Sequence, residues 1–150
     1  MSIEKDINQT KFRNEHQKVL INIIYTSNWL NEQVKIFLDK EDITRQQFNI
    51  LRILRGAGTP ISTLQIRQRM LDKMSDTSRI VDRLELKGLV KKNICENDKR
   101  MVDVYITMKG KKLLEKLDRT EDDMNNIAAS LTEADAKAMN KLLDKLRKSS

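Results

Sequence analysis

Residues 89–110 read LVKKNICENDKRMVDVYITMKG. Val102, Val104 and Ile106 alternate with Asp103 and Tyr105, the period-two pattern of a strand with one face toward a core, and Thr107 and Gly110 end it. Leu89, Val90, Ile94 and Cys95 supply a partner strand upstream. The polar turn between the two strands therefore projects Asp98, Lys99 and Arg100, two cations and one acid, from the tip of a hairpin.

Outward from the hairpin the pattern is helical. The four glycines and the one proline punctuate the chain at Gly56, Gly58, Pro60, Gly88 and Gly110. From about Asn8 to Leu38, Phe12, Val19, Leu20, Ile23, Ile24, Leu30, Val34 and Phe37 recur at spacings of three and four, which predicts one long amphipathic helix. Thr44 with Gln47 forms a capping box for a second helix carrying Phe48, Leu51 and Leu54, and Ser62 with Gln65 repeats it for a short third carrying Leu64, Ile66 and Met70. A fourth runs from about Ser75 to Lys87 and stops at Gly88, suited to a left-handed C-cap. After the hairpin, Thr107 caps a fifth helix that runs to about Ala129, and Thr132 with Asp135 opens a sixth bearing Ala138, Met139, Leu142, Leu143 and Leu146.

A chain of 150 residues is one domain by length and folds on its own core. With 29 Lys and Arg against 22 Asp and Glu, its net charge of +7 favours a polyanionic partner, either nucleic acid or an anionic membrane face. No apolar run is long enough to span a membrane and the N-terminus lacks the pattern of a cleaved leader, so a soluble, cytoplasmic protein with no membrane-spanning segment is expected, while charge alone does not choose between the two partners. One cysteine, Cys95, and one histidine, His16, rule out an intrachain disulfide and a Cys/His zinc cluster, and no cofactor is expected. The carboxylates are interleaved with lysines at helical spacing and no glycine-rich phosphate loop is present, so the chain is read as a non-enzyme.

Two short helices, a tight turn and a basic hairpin are the parts of a winged helix-turn-helix, whose second helix enters the major groove while the hairpin follows the backbone or the minor groove. On a helical wheel the fourth helix packs Thr77, Ile80, Val81, Leu84 and Gly88, and turns Ser75, Arg79, Asp82 and Arg83 outward. Ser75 and Asp76 at its N-terminus suit a phosphate, and Arg79 has the reach to fork onto guanine O6 and N7. Alone, that face reads first as an amphipathic surface with its charges in ion pairs and Asp76 as a cap; the hairpin moves the reading toward DNA. Arg100 at the tip fits a narrow minor groove, Asp98 is placed to aim it, and Lys91, Lys92 and Lys99 add phosphate contacts.

The stretch DKMSDTSRIVDRLELKGLVKKNICENDKRMVDVYITMKG, residues 72–110, resembles the DNA-binding core of the multiple-antibiotic-resistance repressor (MarR) family. The likeness lies in Ser78-Arg79, VDRLE from Val81 to Glu85, KGLV from Lys87 to Val90, the Asp98 and Arg100 of an Asp-x-Arg wing, and IT-x-x-G from Ile106 to Gly110. DITRQQFNILRIL, residues 42–54, is similar to the family's second helix, so the resemblance covers residues 42–118. Asp76 departs from it, standing where a small hydroxyl residue is usual; an acid there suits a cytosine N4 donor better than a phosphate.

The resemblance implies a mainly α fold with a small β-hairpin wing: a winged helix-turn-helix over residues 42–107, flanked by dimerisation helices at 8–38 and 108–148. It further implies a homodimer on a pseudo-palindromic operator in double-stranded DNA, Ser75, Asp76, Ser78, Arg79, Arg83, Asp98, Lys99 and Arg100 as the DNA-contacting set, and repression relieved by a small aromatic or lipophilic effector. His16 and Trp29 are candidates for the effector cleft, although single residues at helical spacing also suit an interface or core, as do Met70, Met74 and Met101. Cys95 lies on the first wing strand and reads as a small buried apolar residue rather than an oxidant sensor. The competing function is a winged-helix protein–protein interaction module whose basic face takes an acidic partner.

Overall fold

The structure, a computed structural model, describes residues 1–94, 98 and 102–148. Its elements in chain order are α1 (Ile3–Asp6), α2 (Glu15–Asp39), α3 (Arg45–Ala57), β1 (Ile61–Ser62), α4 (Thr63–Arg69), α5 (Thr77–Leu86), β2 (Val90–Ile94), β3 (Val102–Ile106), α6 (Met108–Asp118), α7 (Glu121–Asn125), a 3-10 turn (Asn126–Ala128) and α8 (Glu133–Arg147). Cys95, Lys99, Arg100 and Met101 lie outside the described residues.

The three capping boxes form as the sequence predicts. Thr44, Ser62 and Thr132 accept from the backbone N–H groups of Gln47, Gln65 and Asp135, whose side chains reach back to the cap residues. The long first helix is shorter than its apolar period suggests. Asn14 caps it by accepting from Gln17 N–H at 2.8 Å, Arg13 N–H donates to Gln17 Oε1 at 2.6 Å, and Asn8 turns left-handed at φ 52°, so residues 7–14 double back and α1 is a separate turn. The fifth helix also ends early. Thr120 Oγ1 donates to Leu117 O at 3.0 Å and its own carbonyl starts α7, breaking at residue 120 the run expected to reach Ala129.

The hairpin gains a third strand that the sequence reading lacks. β1, only two residues long, pairs antiparallel with β3 through Ile61↔Val104, giving the order β1-β3-β2. In β2–β3 the register runs from Val90↔Ile106 to Ile94↔Val102. Behind the sheet, Ile50, Leu51 and Leu54 of α3, Ile66 of α4, Val81 and Leu84 of α5 and Leu114 and Leu117 of α6 form one core with Val90 and Val104.

The joint between wing, α5 and α6 explains two of the sequence motifs. After α5 the chain turns at Gly88 (φ 73°), and Leu89 N–H returns to Leu84 O at 3.0 Å. Thr107 N–H then donates to Leu89 O at 3.0 Å, while Thr107 Oγ1 donates to Gly88 O at 2.7 Å and accepts from Gly110 N–H. A Cβ on Gly110 would lie 2.4 Å from Leu89 O and 2.7 Å from Ile106 Cγ1, so only glycine permits this approach.

The terminal helices are differently dressed. Along α2 only Leu38 is buried, and α8 buries nothing. Val19, Leu20, Ile24, Tyr25, Trp29, Leu30 and Ile36 on α2, and Met139, Leu142 and Leu146 on α8, are exposed.

Candidate nucleic-acid interface

The burial of α5 follows its helical period. Thr77, Val81 and Leu84 are buried and Ile80 half-buried, leaving Ser78, Arg79, Asp82 and Arg83 exposed. Gly88, expected on the packed side, is exposed at the end of the helix. Arg79 and Arg83, four residues apart, stand on one face about 6 Å apart along the axis.

The start of α5 differs in detail from the sequence expectation. Asp76 is the N-cap: its Oδ1 accepts from Arg79 N–H at 3.2 Å, which commits that oxygen to the backbone, although the residue is exposed. Ser75, expected on the outward face, is half-buried with its hydroxyl sealed from solvent and without a hydrogen-bond partner, so in this conformation it offers nothing to a groove. Thr77 Oγ1 is buried in the same state. Both residues line an open cavity of about 360 Å³ together with Thr63, Leu64, Arg67, Asp76 and Ser78.

Arg67 was missed in the sequence. It stands exposed on α4, four residues after half-buried Thr63, and brings a cation to the same cavity. The Ser62 capping box that fixes the start of α4 is the signal that would have placed it. A second cavity of about 280 Å³ lies between the start of α3 and α5, lined by Thr44, Gln46, Gln47, Asp72, Ser75, Asp76, Ile80 and Arg83.

On the wing, Lys91 is exposed opposite Tyr105, as a phosphate contact requires. Lys92 is not so placed: its ammonium is hydrogen-bonded to Asp82 and lies 3.9 Å from Glu85 Oε1. The same contact withdraws Asp82 from the outward set on α5. Asp98 is half-buried; Lys99 and Arg100, its partners in the expected tip, fall outside the described residues. Met70 is a core residue, whereas Met74 is 92% exposed on the turn before α5 and belongs to no core.

His16 and Trp29 do not form one site within a subunit. Both are exposed, but thirteen residues of helix separate them, about 20 Å along α2 and about 140° around it. Neither lines either cavity. Tyr25, four residues before Trp29, is the aromatic that shares its face.

Among the described residues no group of His, Cys, Asp and Glu is arranged to hold a metal ion, and no helix is long and apolar enough to cross a membrane.

A short helix, a turn, an exposed basic second helix and an antiparallel wing define a winged helix-turn-helix. The MarR family model matches residues 43–102, from the end of the α2–α3 loop to the start of β3. The HTH-type transcriptional regulator FarR of Neisseria gonorrhoeae is 32% identical over 111 residues, 74% of this chain and 75% of that protein. The HTH-type transcriptional regulator YfiV of Bacillus subtilis is 35% identical over 74 residues, so the match spans 49% of this chain and 46% of that relative. Among solved structures, a mutant MarR from E. coli complexed with operator DNA superposes with a TM-score of 0.79 at 25% identity, covering 91% of this chain and 99% of that one. The chain belongs to the MarR family of transcriptional regulators.

Proposed function

We propose that the chain is a homodimeric regulator that binds a pseudo-palindromic operator in double-stranded DNA, with α5 in the major groove and the β2–β3 wing along the adjacent backbone. One observation carries this reading: the outward face of α5 keeps Ser78, Arg79 and Arg83 exposed while its inward face is locked into the core. Arg67 and Lys91 widen the basic surface on either side. The E. coli relative complexed with operator DNA supports DNA as the partner. A module for an acidic protein partner has no need of a groove-sized helix and a basic wing together.

The dimer is supported by the apolar residues that α2 and α8 leave about half exposed, since completing the burial of each such Leu, Ile or Met gains roughly 0.7–2 kcal/mol. By resemblance to its family, the protein acts in the cytoplasm as a repressor and is released by a small aromatic or lipophilic effector, with the half-exposed Tyr25 and Trp29 as aromatic surface on α2. The test combines light scattering with footprinting on a duplex selected from a random library. The proposal expects a dimer protecting two half-sites about 10–10.5 base pairs apart. A monomer, or one asymmetric half-site, would refute it. Removal of residues 131–150 should give aggregated or unfolded protein; a folded monomer that still binds the selected duplex tightly would refute the dimer.

A further inference from the structure

A three-residue charge cluster joins the wing to α5. Lys92 sits in the middle of β2, opposite Val104 and on the same strand face as buried Val90. Its ammonium donates to Asp82, and that hydrogen bond to the carboxylate, ahead of the attraction of Glu85, holds the ammonium pKa above its usual value. Its backbone N–H donates to Glu85 Oε2 at 3.0 Å. One strand residue is thus tied through both main chain and side chain to two acids one turn apart on the helix. Ile94, two residues on and on the same strand face, is 60% exposed, so the tie lies where the strand leaves the body of the domain.

We propose that Lys92, held by Asp82 and Glu85, is a positioning residue that fixes the wing against α5, so that helix and wing meet a duplex in one register. Two acids neutralise its charge, and its side chain is only 26% exposed, which leaves little for a phosphate. Lys91, on the opposite strand face and exposed, is the phosphate-facing neighbour. The inference rests on the DNA-binding reading above, and it reverses the sign that simple electrostatics assigns to Asp82: an acid near DNA improves recognition.

The test measures affinity for the duplex selected by the parent protein and for a random-sequence duplex, with thermal midpoints recorded in parallel. An exposed ion pair contributes about 0.2–1 kcal/mol and a dimer holds two, so Asp82→Asn and Lys92→Met should each lower the preference for the selected duplex roughly 2- to 30-fold. Binding to random duplex by Asp82→Asn should stay within about twofold of the parent, and Lys92→Arg should keep the preference. Three results overturn the proposal. One is Asp82→Asn tightening both duplexes alike. A second is Lys92→Met weakening both alike and flattening the slope of log K against log salt by roughly 0.9 for each lost cation, the mark of a phosphate contact. The third is Lys92→Arg behaving like Lys92→Met. A parent protein with no preference for any duplex would instead overturn the DNA-binding reading itself, and this inference with it.

Discussion

Gly110→Ala tests the joint that carries the wing. The added Cβ would stand 2.4 Å from Leu89 O and 2.7 Å from Ile106 Cγ1. The first contact is with backbone, and that carbonyl already accepts from Thr107 N–H at 3.0 Å, so relief means moving β2 away from the start of α6. Overpacking of this kind costs about 1–3 kcal/mol and the weakened hydrogen bond about 1 kcal/mol more, together about 2–4 kcal/mol. For a domain of this size that lowers the melting midpoint by about 5–15 °C, read by circular dichroism at one fixed protein concentration because dimers melt in a concentration-dependent way. Gly56→Ala is the control. Gly56 lies within α3 with nothing within 4 Å of its would-be Cβ, so the same substitution should stabilise by about 0.5–1 kcal/mol. If Gly110→Ala melts within a degree of the parent, the close approach does not constrain the joint and the reasoning fails.

The wing tip and the N-terminus yield further expectations. Arg100→Ala should flatten the slope of log K against log salt by about 2 for the two wings of a dimer, and Asp98→Ala should weaken operator binding on the sequence expectation that this acid aims Arg100; tighter binding by Asp98→Ala at moderate salt would show that the acid only repels phosphate. Lys18, ion-paired to Glu4, donates the hydrogen bond that draws the Glu4 pKa down from 4.5 to about 2. A depressed carboxylate stabilises above its unfolded pKa and loses that contribution as pH falls through the folded one, so α1 should stay docked at pH 4 and loosen toward pH 2, followed by hydrogen exchange at Ile3. Glu4→Gln should loosen it at neutral pH, and equal protection in both proteins would refute the pairing.

The parts of the fold legible in the sequence were those set by local chemistry. Capping boxes, the alternation of Val102, Val104 and Ile106, and the glycine after α5 each encode their own geometry within a few residues. The β1 strand was not legible because Ile61–Ser62 is too short for a period and exists only through Val104, more than forty residues away. The break before α2 was concealed by an apolar period continuing through Phe12, although Asn14 and Gln17 carried the capping signal. On α5 the wheel found Arg79 and Arg83, since exposure there follows from the helical repeat. It failed at Ser75, which precedes the helix, and at Asp82, because Lys92 reaches it from another element. Side chains paired across elements are invisible to a one-dimensional period, whereas Arg67 was legible from the Ser62 capping box, which fixes the start of α4 and so its exposed face.

The central claim is that α5 reads base edges through its exposed arginines, and Arg79→Ala tests it most directly. Affinities of parent and variant are measured at one salt concentration for the selected duplex, for duplexes changed singly at each half-site position, and for random sequence. The account predicts a loss of about 1–3 kcal/mol per contact on the selected duplex, relaxed discrimination at one position in each half-site, and a smaller loss on random DNA. An equal loss on every duplex, with discrimination unchanged at all positions, would make Arg79 a phosphate contact and contradict the account.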